Sequence, residues 1–210
     1  LGYGLAMRLA AAGDEIVIGS RSGDKAEAAA GHVAAATGSK SVSGAENADS
    51  VKQADAVVVT VPFPGQAGMY KALKETMVAG TTVIDCNVPL ASEIGGKPTR
   101  LLGVWEGSAA QQAKGILGKE FPMASAFHTV MSSTLENFKA SLDSDVLACA
   151  EKQAKPVIEE MIGKIEGARY IDCGPLENAR ILESLTPLLI GINMRYKLHP
   201  GAGIRIQGIS

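Results

Sequence analysis

With 210 residues and a formal net charge of −2, the chain is long enough for one well-buried α/β domain, and it lacks the basic excess that nucleic acid or an anionic membrane surface attracts. Aromatics make up only 4% against 24 glycines, a composition suited to helices packed closely on a parallel sheet. No apolar run approaches the roughly 20 residues that span a bilayer, and the three cysteines are scattered, odd in number and without CxxC spacing. They are expected to be reduced core residues of a cytoplasmic protein that holds no metal.

In chain order, residues 1–12 place Leu5, Leu9 and Ala12 on one helical face, with Gly13 as the stop. Residues 15–19 form a short run rich in β-branched residues, predicted as a buried strand. A polar, Ala-rich helix is expected over 22–36, a short strand over 41–43 and a short helix over 45–53. Residues 55–61 (DAVVVTV) give the clearest strand, broken by the Pro62–Phe63–Pro64–Gly65 turn before a helix over 66–77. Residues 81–85 are another apolar strand, and 93–103 a Gly- and Pro-rich loop. A helix is expected over 108–117, strands over 123–127, 145–149 and 169–173, and a helix over 154–165 between the last two strands. Residues 177–195 read as a helix carrying Pro187, and 203–206 alternate as a terminal strand would.

Strands alternating with helices of this length mean βαβ units, hence a Rossmann-type, doubly wound, mostly parallel sheet. The division expected is a dinucleotide-binding domain over 1–120 and a small α/β extension over 121–210.

A dinucleotide fingerprint consists of a strand, a GxGxxG loop, a helix and a second strand ending in a residue that reads the adenosine ribose. Leu1 and Gly2 open the helix, with Gly2 where the third glycine belongs; the strand and the first two glycines are not in the sequence. The ribose-reading position carries Ser20 and Arg21, with Lys25 one helical turn on. An acidic residue there would accept from a 2′-hydroxyl, whereas Arg holds a dianionic 2′-phosphate by a forked, charge-assisted contact. The cofactor expected is NADP(H). Its other end should lie over the carboxyl ends of later strands, where Val61, Pro62 and Phe63 follow one and Val88 and Pro89 the next. On sequence alone these two segments are as consistent with plain turns.

His128 follows the strand over 123–127 at the edge where ligands bind in such sheets. Ser184 and Thr186 stand beside Pro187 as a polar notch in an apolar helix. Hydroxyls satisfying the carbonyls of a Pro-kinked helix would look the same.

The stretches LAMRLAAAGDEIVIGSR, AFHT, CGPLENARILESLTPLL and INMRYKLHPGAGIRI resemble the NADPH-dependent coenzyme F420 reductases, also called F420:NADP oxidoreductases. The resemblance implies direct, reversible hydride transfer between the nicotinamide and the deazaflavin ring of F420 in a homodimer. It implies that Ser20, Arg21 and Lys25 hold the 2′-phosphate, that Val61, Phe63 and Val88 line the nicotinamide half, and that His128, Ser184 and Thr186 lie near the deazaflavin as catalytic residues. Two other readings stay open: an NADPH-dependent reductase of an imine, ketone or metal centre, and a non-catalytic NADP(H)-binding module. Because the fingerprint is incomplete, the chain is expected to be a truncated form of a working reductase.

Overall fold

The computed structural model describes residues 1–209. Two parallel strands, β1 (Ile16–Ser20) and β2 (Val42–Glu46), form one ribbon; β3 (Ala56–Val59), β4 (Thr82–Asp85), β5 (Met123–Ala126), β6 (Ser144–Ala150) and β7 (Ala168–Asp172) form a sheet in that order. Every pair is parallel except β5–β6. The mostly parallel α/β sheet is therefore present, but in two pieces. Between them runs a trough of about 950 Å³, lined among others by Gly2, Leu5, Ile18, Val58, Val61 and Met161.

Helices cover both faces of the larger sheet. On one face α4 (Phe63–Lys74) and α5 (Ala109–Leu117) contribute Tyr70, Leu73, Ala110, Ala113 and Leu117, which pack on Val59, Val83 and Met123. On the other, α1 (Gly2–Ala11), α6 (Ser132–Glu136) and α7 (Lys155–Gly163) bring Leu5, Leu9, Leu135, Ile158 and Ile162 against Ile84, Ala124 and Val146. Along β6 the period of two is legible: Val146 and Ala148 face this second layer, while Leu147 and Cys149 face α8 (Ala179–Tyr196) through Leu182.

Helix α1 serves both pieces. Leu5 and Leu9 enter the core of the large sheet, and Ala6, Met7 and Ala10 pack with Val33 of α2 (Gly23–Thr37) over the ribbon. The short α3 (Asn47–Ser50) closes the series.

Several expectations are corrected. Strand β1 is half-buried and alternating rather than buried: Ile16 and Ile18 pack under α1 and α2, while Val17, on the other face, is 42% exposed. Strand β3 ends at Val59, and α4 starts at Phe63 rather than at 66, since Pro64 sits in the first turn where its missing N–H costs nothing. The loop over 93–103 is shortened by a 3-10 turn (Ala91–Ile94) and a bridge between Leu90 and Leu101. Helix α6 was not foreseen. Residues 203–206 lie beside β6 but are no strand: Asp145 N–H donates to the Ile204 carbonyl at 3.0 Å, yet the Ile206 amide goes to the Asp145 carboxylate at 2.5 Å, so no ladder continues.

Candidate functional site

The first turn of α1 rests against the end of β3. A Cβ added to Gly2 would lie 2.5 Å from Thr60 Oγ1, so only glycine permits this approach. Since α1 begins at the carboxyl end of β3 and runs back to the start of β1, the end of β1 returns to the same edge. That edge carries Leu1, Gly2, Ser20, Arg21 and Thr60 to Phe63. It also carries Asn87 to Pro89 beyond β4, and Phe127 and His128 beyond β5.

The two ends of this edge differ in chemistry. At the ribbon end, Arg21 and Lys25 are exposed and make no ion pair among the described residues. Ser20 is half-buried, and its Oγ accepts the Ser22 amide at a long 3.4 Å. The first turn of α1 carries no acidic residue, so no opposing charge meets the positive end of its dipole there. The set at this end (two free cations, a hydroxyl and the first turn of α1) fits a phosphorylated dinucleotide. Thr60 belongs to it through its contact with Gly2.

At the other end, His128 is buried. Phe127 before it has φ of 69°, a left-handed conformation unfavourable for a bulky residue, and is itself buried against Leu135 and the core. His128 Nε2 is 3.4 Å from Ser125 Oγ, its Nδ1 has no protein partner, and burial lowers its pKa to about 4, so the imidazole is neutral. Thr186 Oγ1 donates to the His128 carbonyl at 2.8 Å, which brings α8 to the edge. Ser184 is exposed, and its hydroxyl donates to the Ile181 carbonyl at 2.6 Å, the local satisfaction that a Pro-containing helix offers. His128 and Thr186 are thus together by contact, and Ser184 stands one step along the same helix.

Between the two ends lies a buried polar cluster that the sequence reading did not single out. Asp85 Oδ1 accepts three hydrogen bonds: from Tyr70 OH at 2.7 Å, Gln66 Nε2 at 3.1 Å and Asn87 Nδ2 at 2.5 Å. Burial raises the Asp85 pKa to about 6 despite these donors, and Asp85 Oδ2, Gln66 Oε1 and Asn87 Oδ1 have no protein partner. Gln66 Nε2 also donates to the Ala109 carbonyl at 3.1 Å, and the Ala109 and Ala110 amides donate to Glu183 at 3.0 and 3.1 Å. The available signal was Asp85 itself, a carboxylate closing an apolar strand. Glu93 was also missed; it accepts the Phe63 amide at 2.7 Å and ties the loop after Pro89 to the start of α4.

Val61 and Val88 are half-buried at neighbouring strand ends, Pro62 is exposed, Phe63 half-buried and Pro89 buried. Among the described residues, no group of three or more His, Cys, Asp or Glu could hold a metal ion, and no helix is long and apolar enough to cross a membrane.

Comparison with known proteins adds the following. A family described as NADP oxidoreductase, coenzyme F420-dependent, matches residues 1–89. A protein of Methanocaldococcus jannaschii named F420-dependent NADP reductase is 41% identical over 213 residues, covering 99% of this chain and 94% of that protein. One of the same name from Methanothermobacter thermautotrophicus is 42% identical over 212 residues, covering 99% and 90%. A crystal structure from Arthrobacter sp. FB24, provisionally assigned as an F420-dependent NADP-reductase, has a TM-score of 0.80 over 98% of this chain and 94% of that one. At 23% identity it supports the fold alone. By its identity to the two curated relatives over nearly its whole length, the chain belongs to the family of F420-dependent NADP reductases.

Proposed function

We propose that this protein transfers a hydride reversibly between NADP(H) and the deazaflavin coenzyme F420. The observation that carries the reading is the identity of about 40% over 99% of the chain to curated F420-dependent NADP reductases. The geometry supports it: a free cation pair at one end of a strand edge, a buried polar cluster in the middle, and an apolar helix notched by hydroxyls at the other.

Each residue has a physical task. Arg21 and Lys25 neutralise the 2′-phosphate, with Ser20 as a short donor, and the pyrophosphate lies against the N-terminus of α1 at Leu1 and Gly2. Val61, Pro62, Phe63, Val88 and Pro89 form the floor for the nicotinamide. Thr186 and Ser184 orient the deazaflavin. The neutral His128, whose carbonyl Thr186 grips, holds α8 against the edge and offers an imidazole that carries no charge toward a reduced ring. When bound, the two coenzymes supply the redox chemistry themselves, so the protein needs no nucleophile, only orientation and exclusion of water.

In this reading residues 1–120 bind NADP(H), and residues 121–210 contribute to the F420 site and the dimer contact. Ile181 and Leu188 are exposed two turns apart on α8, an apolar stripe suited to a two-fold contact with a second copy. The cytoplasm is the compartment that fits the unpaired cysteines.

Mixing the protein with NADPH and F420 and following the deazaflavin absorbance tests the reading. Bleaching at a rate proportional to protein is the expected result. Absence of bleaching under conditions where NADPH binds would overturn it.

A further inference from the structure

Glu183 is 2% exposed in the middle of α8, one residue before Ser184 and three before Thr186. A buried carboxylate needs strong partners, and this one has taken the first turn of another helix: its two oxygens receive the Ala109 and Ala110 amides at 3.0 and 3.1 Å. These are free amides at the start of α5, where the helix dipole favours an anion. The same turn is held from its other side, because Gln66 donates both to the Ala109 carbonyl and to Asp85, and Asp85 accepts from Asn87, next to Val88. A continuous hydrogen-bonded path therefore runs from the strand end under the nicotinamide, through the start of α5, to the helix that carries the deazaflavin residues.

We infer that Glu183 is a positioning residue for hydride transfer: by fastening α8 to the first turn of α5, it sets the separation of the two rings. The inference rests on the proposed placement of Ser184 and Thr186 at the deazaflavin. Packing alone does not require a charge here, since apolar contacts between α8 and its neighbours are already made by Leu182 and Leu189, both buried. The desolvation cost of the carboxylate is visible in its pKa, which burial, helped by the charge of Asp85, pushes up to about 8 against the pull of the two amides and of the Ser108 hydroxyl. A costly group retained at a helix crossing fixes one geometry among several of similar packing energy.

The test is single-turnover kinetics with NADPH deuterated at the transferred position. Glu183→Gln keeps the size but cannot accept both amides, so the hydride-transfer rate constant should fall about 10- to 100-fold, the scale expected for a misplacement near 1 Å. KM for NADPH and F420 should change less than about twofold, and the isotope effect should become fully expressed. Glu183→Asp should recover part of the rate. Ala109→Pro removes one donor at a helix position that tolerates proline and should lower the rate in the same way; it decides the matter alone if Glu183→Gln does not fold. An unchanged rate constant in a folded variant, or a loss confined to KM for F420, overturns the inference. Ser184→Ala and Thr186→Val separate it from the reading beneath: if neither alters F420 binding, the placement of the deazaflavin is wrong, and the inference falls with it.

Discussion

Arg8 Nε donates to the carbonyl of Leu135 at 3.0 Å, joining residues 127 positions apart. The same guanidinium, buried in α1, reaches the carbonyls of Thr134 at 2.7 Å and of Asn137 and Ala140 at 3.1 Å each. It thereby caps α6, a helix too short to stand by its own propensity, and locks α1 beneath His128.

Replacing Arg8 with Met would leave these carbonyls without donors, at about 1–3 kcal/mol for each that stays buried. The expected loss is about 3 kcal/mol or more of unfolding free energy, read from the urea midpoint at constant m-value. A shift below about 1 kcal/mol would mean the carbonyls find other donors.

Arg21→Asp should raise KM for NADPH by about 10- to 100-fold, the worth of one or two charge-assisted hydrogen bonds to the 2′-phosphate. KM for NADH should stay nearly constant or fall, because Asp can accept from a ribose hydroxyl. Equal losses for both cofactors would remove Arg21 from the phosphate.

Gly2→Ala places a methyl group 2.5 Å from Thr60 Oγ1. It should push α1 off the edge, costing about 1–3 kcal/mol and weakening NADPH binding. In the double variant with Thr60→Ala the offending oxygen is gone, and most of the loss should return. Additive effects would show that the contact is not the reason for glycine.

His128 has its pKa lowered by burial from 6.5 to about 4. Between those values the unfolded chain binds a proton that the folded chain refuses, so this residue contributes stability that is complete above pH 6.5 and is lost as pH falls toward 4. The loss over that window is on the order of 3 kcal/mol. Comparing His128→Gln with the parent protein from pH 7 to 4 isolates it: the gap between the two unfolding free energies should change across this range. A constant gap would mean that the imidazole is solvated in solution.

The layering was legible in the sequence because apolar runs and helix stops are local signals. The parallel strands and the helices over both faces followed from them, and so did the position of Arg21 and Lys25 just after β1, on which their proposed role rests. What escaped reading depends on distant partners. Residues 132–136 carry little helical signal, and Arg8, over a hundred positions away, completes the turn. The alternation of Ile204 and Ile206 does reflect packing on β6, but Asp145 takes the Ile206 amide with its carboxylate while Arg169 grips both oxygens at 2.9 and 2.8 Å. Glu183 was hidden for the same reason, since nothing near it in sequence announces that two amides from α5 await it.

Arg21 follows β1 and Val88 follows β4, so a coenzyme reaching from one to the other touches both pieces of the sheet. The pieces are held together by α1, by α3 against α4, and by the Lys164–Asp14 pair at 2.7 Å, not by a shared ladder. A dinucleotide reaching from Arg21 to Val88 would add a clamp between the ribbon and the larger sheet, so the unfolding temperature should rise with NADPH concentration.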